Sequence, residues 1–216
     1  MPQLITEDDL DRLDDAYGPD VDTAPDDMLS PEYDAWEEEN AISPAGHLEM
    51  AEIIERWATD SSAYELGGQL TAPILLLIAA EHRHAADDIE NAERLARQAR
   101  DHADAEPFEA HPTFIAFALA AGDAATAAGL ADEVEHARPT DLAFYTMIGE
   151  SYEEHDDERT AERWYTLGLE MMVRTGETDD PEYLGLLISR SMLRKDMGLP
   201  ADDFDRYVEL LADEDQ

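Results

Sequence analysis

Three aspartate-marked turns set the frame of this chain. Asp87 precedes a helical segment containing Ala92, Asp123 precedes one containing Ala128, and Asp156 precedes one containing Ala161. Each Asp–Ala offset is five residues, and successive turns are 36 and 33 residues apart. A unit of two antiparallel helices explains the recurrence. The aspartate caps or shapes the turn, and the alanine lets the second helix cross the first at close range. One such unit cannot bury its apolar face alone, so the units must stack. Ala, Leu, Glu and Arg are abundant, Val and Ile are sparse, and almost nothing reads as a strand. The expected fold class is therefore all-α, with antiparallel helix hairpins stacked as a short solenoid. A non-repeating helical bundle is the alternative.

Start and stop signals place the remaining helices. Ser43 followed by Pro44 opens one that runs to about Thr59, with Leu48, Ile53, Ile54 and Trp57 as its apolar stripe. Residues 60–71 hold Ser61, Ser62, Gly67 and Gly68 and read as a turn or a short helical piece. Thr71-Ala72-Pro73 opens the next helix. A last pair spans about Pro181 to Met197 and Pro200 to Ala212, broken at Gly198-Leu199-Pro200.

The third unit carries the clearest pattern. Tyr145, Ile148, Gly149 and Tyr152 are followed by Ala161 and Tyr165. This closely resembles the tetratricopeptide repeat, an aromatic, a Leu-Gly pair, a Tyr, then Ala and an aromatic. The match runs from about Leu142 to Arg174. The resemblance implies that Gly149 and Ala161 are the small residues at the helix crossing, with Tyr145, Ile148, Tyr152 and Tyr165 packed around them. Gly168 stands where a small alanine is usual, and Val173 where proline is common. The units before it are degenerate: Arg83 replaces the tyrosine in one and Pro112 the first aromatic in the other. The closing helix pair reads as a fourth, degenerate unit or a cap.

Charge divides the chain. The formal net charge is -40, from 54 acidic and 14 basic side chains, and only one base is a lysine, Lys195. Residues 1–42 hold 15 acidic side chains and a single basic one, Arg12. With Gly18, Pro19, Pro25 and Pro31 they read as an acidic, largely extended or disordered arm. A short helix from Thr6 to Tyr17 is expected within it, and Tyr33 and Trp36 are the residues able to dock it. Residues 43–216 read as a single helical-repeat domain. A field of this sign repels phosphates, which argues against direct nucleic-acid or anionic-membrane binding. The longest apolar run, Pro73 to Ala80, is too short to span a bilayer. No positively charged, apolar leader opens the chain, so a cytoplasmic location is expected. Acidity with one lysine also suits a salt-rich cytoplasm, a reading that needs no partner.

The chemistry-bearing residues form few constellations. Cysteine is absent, which excludes disulfides, thiolate metal sites and cysteine nucleophiles. His84 and Asp88 are four apart and are the weak metal candidates, with Glu81 and His82 beside them and His102 or His111 as a further ligand. No ordered metal motif accompanies them. Paired carboxylates such as Asp87–Asp88 and Asp156–Asp157 are better explained by turns and helix starts than by acid–base catalysis. No nucleophile elbow, phosphate loop or dinucleotide fingerprint occurs. No catalytic residue and no cofactor is therefore assigned. Arg190, Arg194 and Lys195 form the only basic cluster, expected to pair with acidic helices.

The resemblance implies a curved surface that holds a peptide or a protein face. Its first helices would direct Leu77, Glu81 and His84, then Thr113 and Phe117, then Glu150, Glu153 and Glu154 toward the partner. These positions are acidic or neutral, so a basic or mixed protein segment with an apolar anchor near Phe117 fits them. The leading expectation is a protein-interaction or scaffold module. An acidic nucleic-acid mimic that occupies a basic partner is the alternative, and a metal-dependent enzyme at Glu81–Asp88 is the weakest reading.

Overall fold

Helix starts are fixed by side-chain oxygens that take up free first-turn amides. Ser43, Thr71, Asp123, Asp141, Asp157 and Asp180 each accept such a backbone N–H at 2.9–3.3 Å. Pro44, Pro73 and Pro181 follow three of these caps, where a missing N–H costs nothing. The computed structural model describes residues 2–18, Trp36 and residues 40–214. The chain divides into two compact units, residues 1–110 and 111–216.

The first unit contains β1 (Gln3–Ile5), α1 (Glu7–Tyr17), α2 (Pro44–Thr59), β2 (Tyr64–Leu66), α3 (Ala72–Ala85) and α4 (Ile89–Arg100). Helix α3 packs between α2 and α4. Its Leu75, Leu76, Ala79 and Ala80 meet a core that includes Met50, Ala51 and Ile54 of α2 and Ala92, Leu95, Ala96 and Ala99 of α4. The buried face of α2 thus shares only Ile54 with the expected stripe. Leu48, Ile53 and Trp57 are half-buried.

Two short strands depart from the all-α expectation. Strand β1 pairs in parallel with β2, Gln3 opposite Tyr64 and Ile5 opposite Leu66, and Ile5 is fully buried. The stretch expected as a turn or helical piece at 60–71 therefore supplies a strand. Helix α1 follows directly, with the Asp9 carboxylate accepting the Thr6 N–H at 3.0 Å. The Tyr17 hydroxyl donates to Glu49 on α2 at 2.9 Å. Of the acidic segment 1–42, residues 3–17 are thus folded against the first unit. Tyr33 lies outside the described residues, and Trp36 is half-buried.

The second unit contains α5 (His111–Ala120), α6 (Ala124–Ala137), α7 (Leu142–Glu153), α8 (Glu158–Thr175), α9 (Pro181–Asp196) and α10 (Asp203–Glu214). Each helix packs on the next within the pairs α5–α6, α7–α8, α8–α9 and α9–α10. First helices of successive hairpins also touch, α5 with α7 and α7 with α9. The described chain is almost entirely helical, with helices packed pairwise as hairpins in a helical-repeat-like arrangement.

The three turns share one backbone geometry. Asp87, Gly122 and Asp156 have φ of 62°, 73° and 59°. The next amide, at Asp88, Asp123 and Asp157, donates to a carbonyl five residues back (Arg83, Ala118 and Tyr152) at 2.8–2.9 Å. Four residues further on, Ala92, Ala127 and Ala161 are fully buried. This corrects the middle unit by one position. Gly122, not Asp123, is the left-handed residue, Asp123 is the cap, and Ala128 is exposed while Ala127 fills the crossing. Aspartate does two jobs in these turns, and glycine takes over the left-handed one at 122. On the corrected register the turns are 35 and 34 residues apart.

Small residues set the closest approaches in the second unit. A β-carbon on Gly149 would collide with the Tyr165 ring. One on Gly168 would lie 2.9 Å from both the Tyr145 β-carbon and a Leu186 methyl. Tyr145, Ile148, Tyr152, Ala161 and Tyr165 are buried around these crossings with Trp164 and Leu169.

Candidate functional site

The structure distributes the expected partner-facing residues between core and surface. Leu77, Glu81 and His84 are on α3 in the first unit; Thr113, Phe117, Glu150 and Glu153 are on α5 and α7 in the second, and Glu154 follows α7. Leu77 and Thr113 are buried, so their side chains belong to packing. Glu81, His84 and Phe117 are half-buried, and the three glutamates are exposed. Glu153 accepts the Tyr165 hydroxyl at 2.6 Å, so it also secures the α7–α8 crossing.

At the weak metal candidate, Asp88 holds the N-cap position of α4, and its carboxylate is occupied by side-chain donors rather than by the helix amides. It accepts Arg83 Nη1 at 2.9 Å and Asn91 Nδ2 at 2.9 and 3.0 Å. His82, its neighbour in sequence, turns to His47 on α2, with the two Nδ1 atoms 2.9 Å apart. His111 Nε2 lies 3.2 Å from a Glu133 carboxylate oxygen. Among the described residues no group of three His, Asp or Glu side chains is placed to hold a metal ion.

The basic cluster is a junction between helices. Arg190 on α9 is 2 % exposed. It reaches Glu162 on α8 at 3.0 Å, Asp202 at 2.6 Å and the Thr166 hydroxyl at 2.6 Å. Arg194 joins Glu162 at 2.7 Å and Asp205 on α10 at 3.0 Å. The hydrogen bond from Arg190 holds the Asp202 carboxyl down at about 2. These two arginines bind α8, α9 and α10 together, whereas Lys195 of the same cluster is exposed and has no ion pair among the described residues.

A groove of about 400 Å³ opens between α7 and α9. Ala143, Thr146, Met147 and Glu150 line one wall; Glu182, Gly185 and Ser189 line the other. Met147 is 37 % exposed. On α9, Leu184, Ile188 and Met192 form an exposed apolar row at four-residue spacing outside the groove lining. Partial desolvation raises the Glu150 carboxyl, and the charges of Glu154 and Glu153 push it further. Among the described residues Glu150 has no ion-pairing cation. Of the residues expected to face a partner, only Glu150 lines this groove; Tyr165, expected in the packing, lines it as well. Met147 was legible as an apolar residue off the packed face of α7, but the opposing wall depends on how α9 docks.

A second cleft, of about 680 Å³, lies between the end of α6, the start of α7 and the last turns of α8. Its lining includes Arg138, Arg174, Tyr145 and Leu167, none of which the sequence marked as a ligand site. Among the described residues no helix is long and apolar enough to cross a membrane. Comparison of the chain with protein-family models, curated proteins and solved structures gives no match.

Proposed function

We propose that this chain is a protein-interaction module built as a tetratricopeptide-like solenoid, and that it holds a basic, apolar-anchored peptide segment in the α7–α9 groove. The observation that carries the reading is the pairing, in one groove, of an exposed Met147 with an uncompensated Glu150. Groove walls formed by the first helices of successive hairpins suit an extended or helical segment. The apolar side chains of such a segment would cover Met147. A lysine or arginine beside them would relieve the repulsion among Glu150, Glu153 and Glu154. The tetratricopeptide identity is supported by the shared turn geometry and by Gly149 at the Tyr165 crossing.

Selection of random twelve-residue peptides against the immobilised protein tests this. The expected binders combine Lys or Arg with a large apolar residue. They lose about tenfold or more in affinity with Met147→Asp and with Glu150→Lys, while Leu4→Asp in the first unit leaves them unchanged. Binders indifferent to both groove substitutions would overturn it. Basic DNA-binding proteins captured only at low salt, equally by wild type and Met147→Asp, would favour the nucleic-acid mimic instead.

A further inference from the structure

Arg138 and Arg174 are conspicuous in a chain with nearly four acids for every base. Among the described residues neither has a carboxylate within ion-pairing distance. Most other arginines here are engaged, including Arg83, Arg94, Arg163, Arg190 and Arg194. Arg174 even declines the i,i+4 partner that its own helix offers in Glu170, which lines the same cleft. Both arginines sit at helix C-termini, Arg138 as the cap of α6 and Arg174 in the last turn of α8. The carbonyl ends there favour a cation, yet they leave both guanidinium groups free to bind.

The cleft around them is built rather than incidental. Arg138 is held at φ 52° and ψ 59°, a left-handed conformation that a non-glycine residue adopts at some cost. The Tyr145 hydroxyl donates to the Pro139 carbonyl at 2.9 Å and so fixes the loop that carries Arg138. The same ring and Leu167 give the cleft an apolar floor. Glu135 on the rim is already ion-paired with Arg163. Burial raises the pKa of the Tyr145 phenol; Arg174 and Arg138 partly oppose this, and Glu135 adds to it. A cleft of this size suits a small organic ligand or one side chain of a larger one.

We propose that this cleft is an oxyanion site, taking a carboxylate or phosphate group between Arg138 and Arg174 with an apolar body seated on Leu167 and the Tyr145 ring. The guanidinium forks provide paired donors matched to either group. The site is independent of the α7–α9 groove and of any peptide bound there.

The test is a titration with phenyl phosphate and, separately, benzoate, in chloride at about 0.15 M, where the field of the acidic surface is screened beyond roughly 8 Å. Arginine Nε–H and Tyr145 ring resonances are followed by NMR. Saturable shifts are expected at Arg138, Arg174 and Tyr145. Arg138→Gln and Arg174→Gln should each weaken binding at least fivefold, and Arg206→Gln, on α10, should not. Which probe binds tighter separates a carboxylate site from a phosphate site. Absence of saturable shifts in the wild type for both probes overturns the proposal. So does an equal loss with Arg206→Gln, or shifts that map elsewhere, and these readouts hold even if a cleft variant fails to fold.

Discussion

Gly149 on α7 and Tyr165 on α8 meet at one point: a β-carbon added to the glycine would fall on the tyrosine ring. The Tyr165 hydroxyl is anchored to Glu153 a turn further along α7, so the ring cannot easily swing aside. Gly149→Ala is therefore expected to destabilise the second unit by about 1–3 kcal/mol, the cost of overpacking. Gly129, on α6, is the contrast, since a β-carbon there would meet nothing within 4 Å. Gly129→Ala should stabilise by about 0.5–1 kcal/mol through helix propensity. Urea unfolding of both variants checks the pair. Equal effects would mean that the crossing is not as close as the structure has it.

The corrected register makes a sharper prediction at two adjacent alanines. Ala127 is fully buried, whereas Ala128 is exposed. Ala127→Leu is expected to cost about 1–3 kcal/mol by overpacking. Ala128→Leu should stay within about 0.5 kcal/mol of the parent, as exposed substitutions do. Thermal melts of the two variants decide between the registers, because the aspartate-aligned register predicts the reverse order.

Much of the hairpin frame was legible because each turn needs a left-handed residue, a cap and a small residue, and few amino acids serve each role. The slip at 122–128 arose because Asp fills the first role at 87 and 156 but the second at 123. The β1–β2 pairing was not legible. Three-residue strands leave no periodicity, and Ile5 finds Leu66 only through the tertiary fold. Arg190 and Arg194 were recognised as ion-pairing residues, but their partners come from two other helices. Arg138 and Arg174 carry no signal in the sequence, since a missing ion pair leaves none.

The His47–His82 contact predicts a pH response in the first unit. Two Nδ1 atoms 2.9 Å apart need one proton between them, so protonating both rings breaks the bond. Burial lowers the pKa of both imidazoles from 6.5; at His82 the neighbouring His47 lowers it further and Asp14 partly opposes this. The unfolded chain thus binds protons first as pH falls. The stability contributed by the neutral pair is fully present above about 6.5 and is lost below it, as pH falls toward the lowered folded values. His82→Asn should flatten this window, so the wild-type advantage over the variant shrinks between pH 7 and 5. An advantage that stays constant across that range would show that the pair does not titrate with folding.

Asp202 extends the same reasoning to strong acid. Its ordinary carboxyl value of 3.8 falls to about 2 in the fold, first because Arg190 donates to it. The depressed value means that the contribution is complete above about 3.8 and disappears as pH drops through about 2. Loss of negative charge over the whole surface relieves self-repulsion in the same range, so the informative quantity is the difference between wild type and Asp202→Asn. Asparagine keeps the acceptor that Asp202 offers to the Phe204 and Asp205 amides, at 3.0 and 3.2 Å, and removes the charge together with the Oδ2 that accepts from Arg190. The difference should be level above pH 4 and shrink toward zero near pH 2. Arg190→Met is the companion variant. It leaves Glu162, Asp202 and Asp205 facing one another with Arg194 as their remaining base, at an expected cost of about 3–5 kcal/mol at neutral pH. That deficit should narrow in strong acid, as pH falls through the Asp202 value of about 2 and the carboxyl that Arg190 pairs with loses its charge. A deficit independent of pH would show that Arg190 acts through packing against Phe204, whose ring centroid lies 5.3 Å from its guanidinium carbon, rather than through charge.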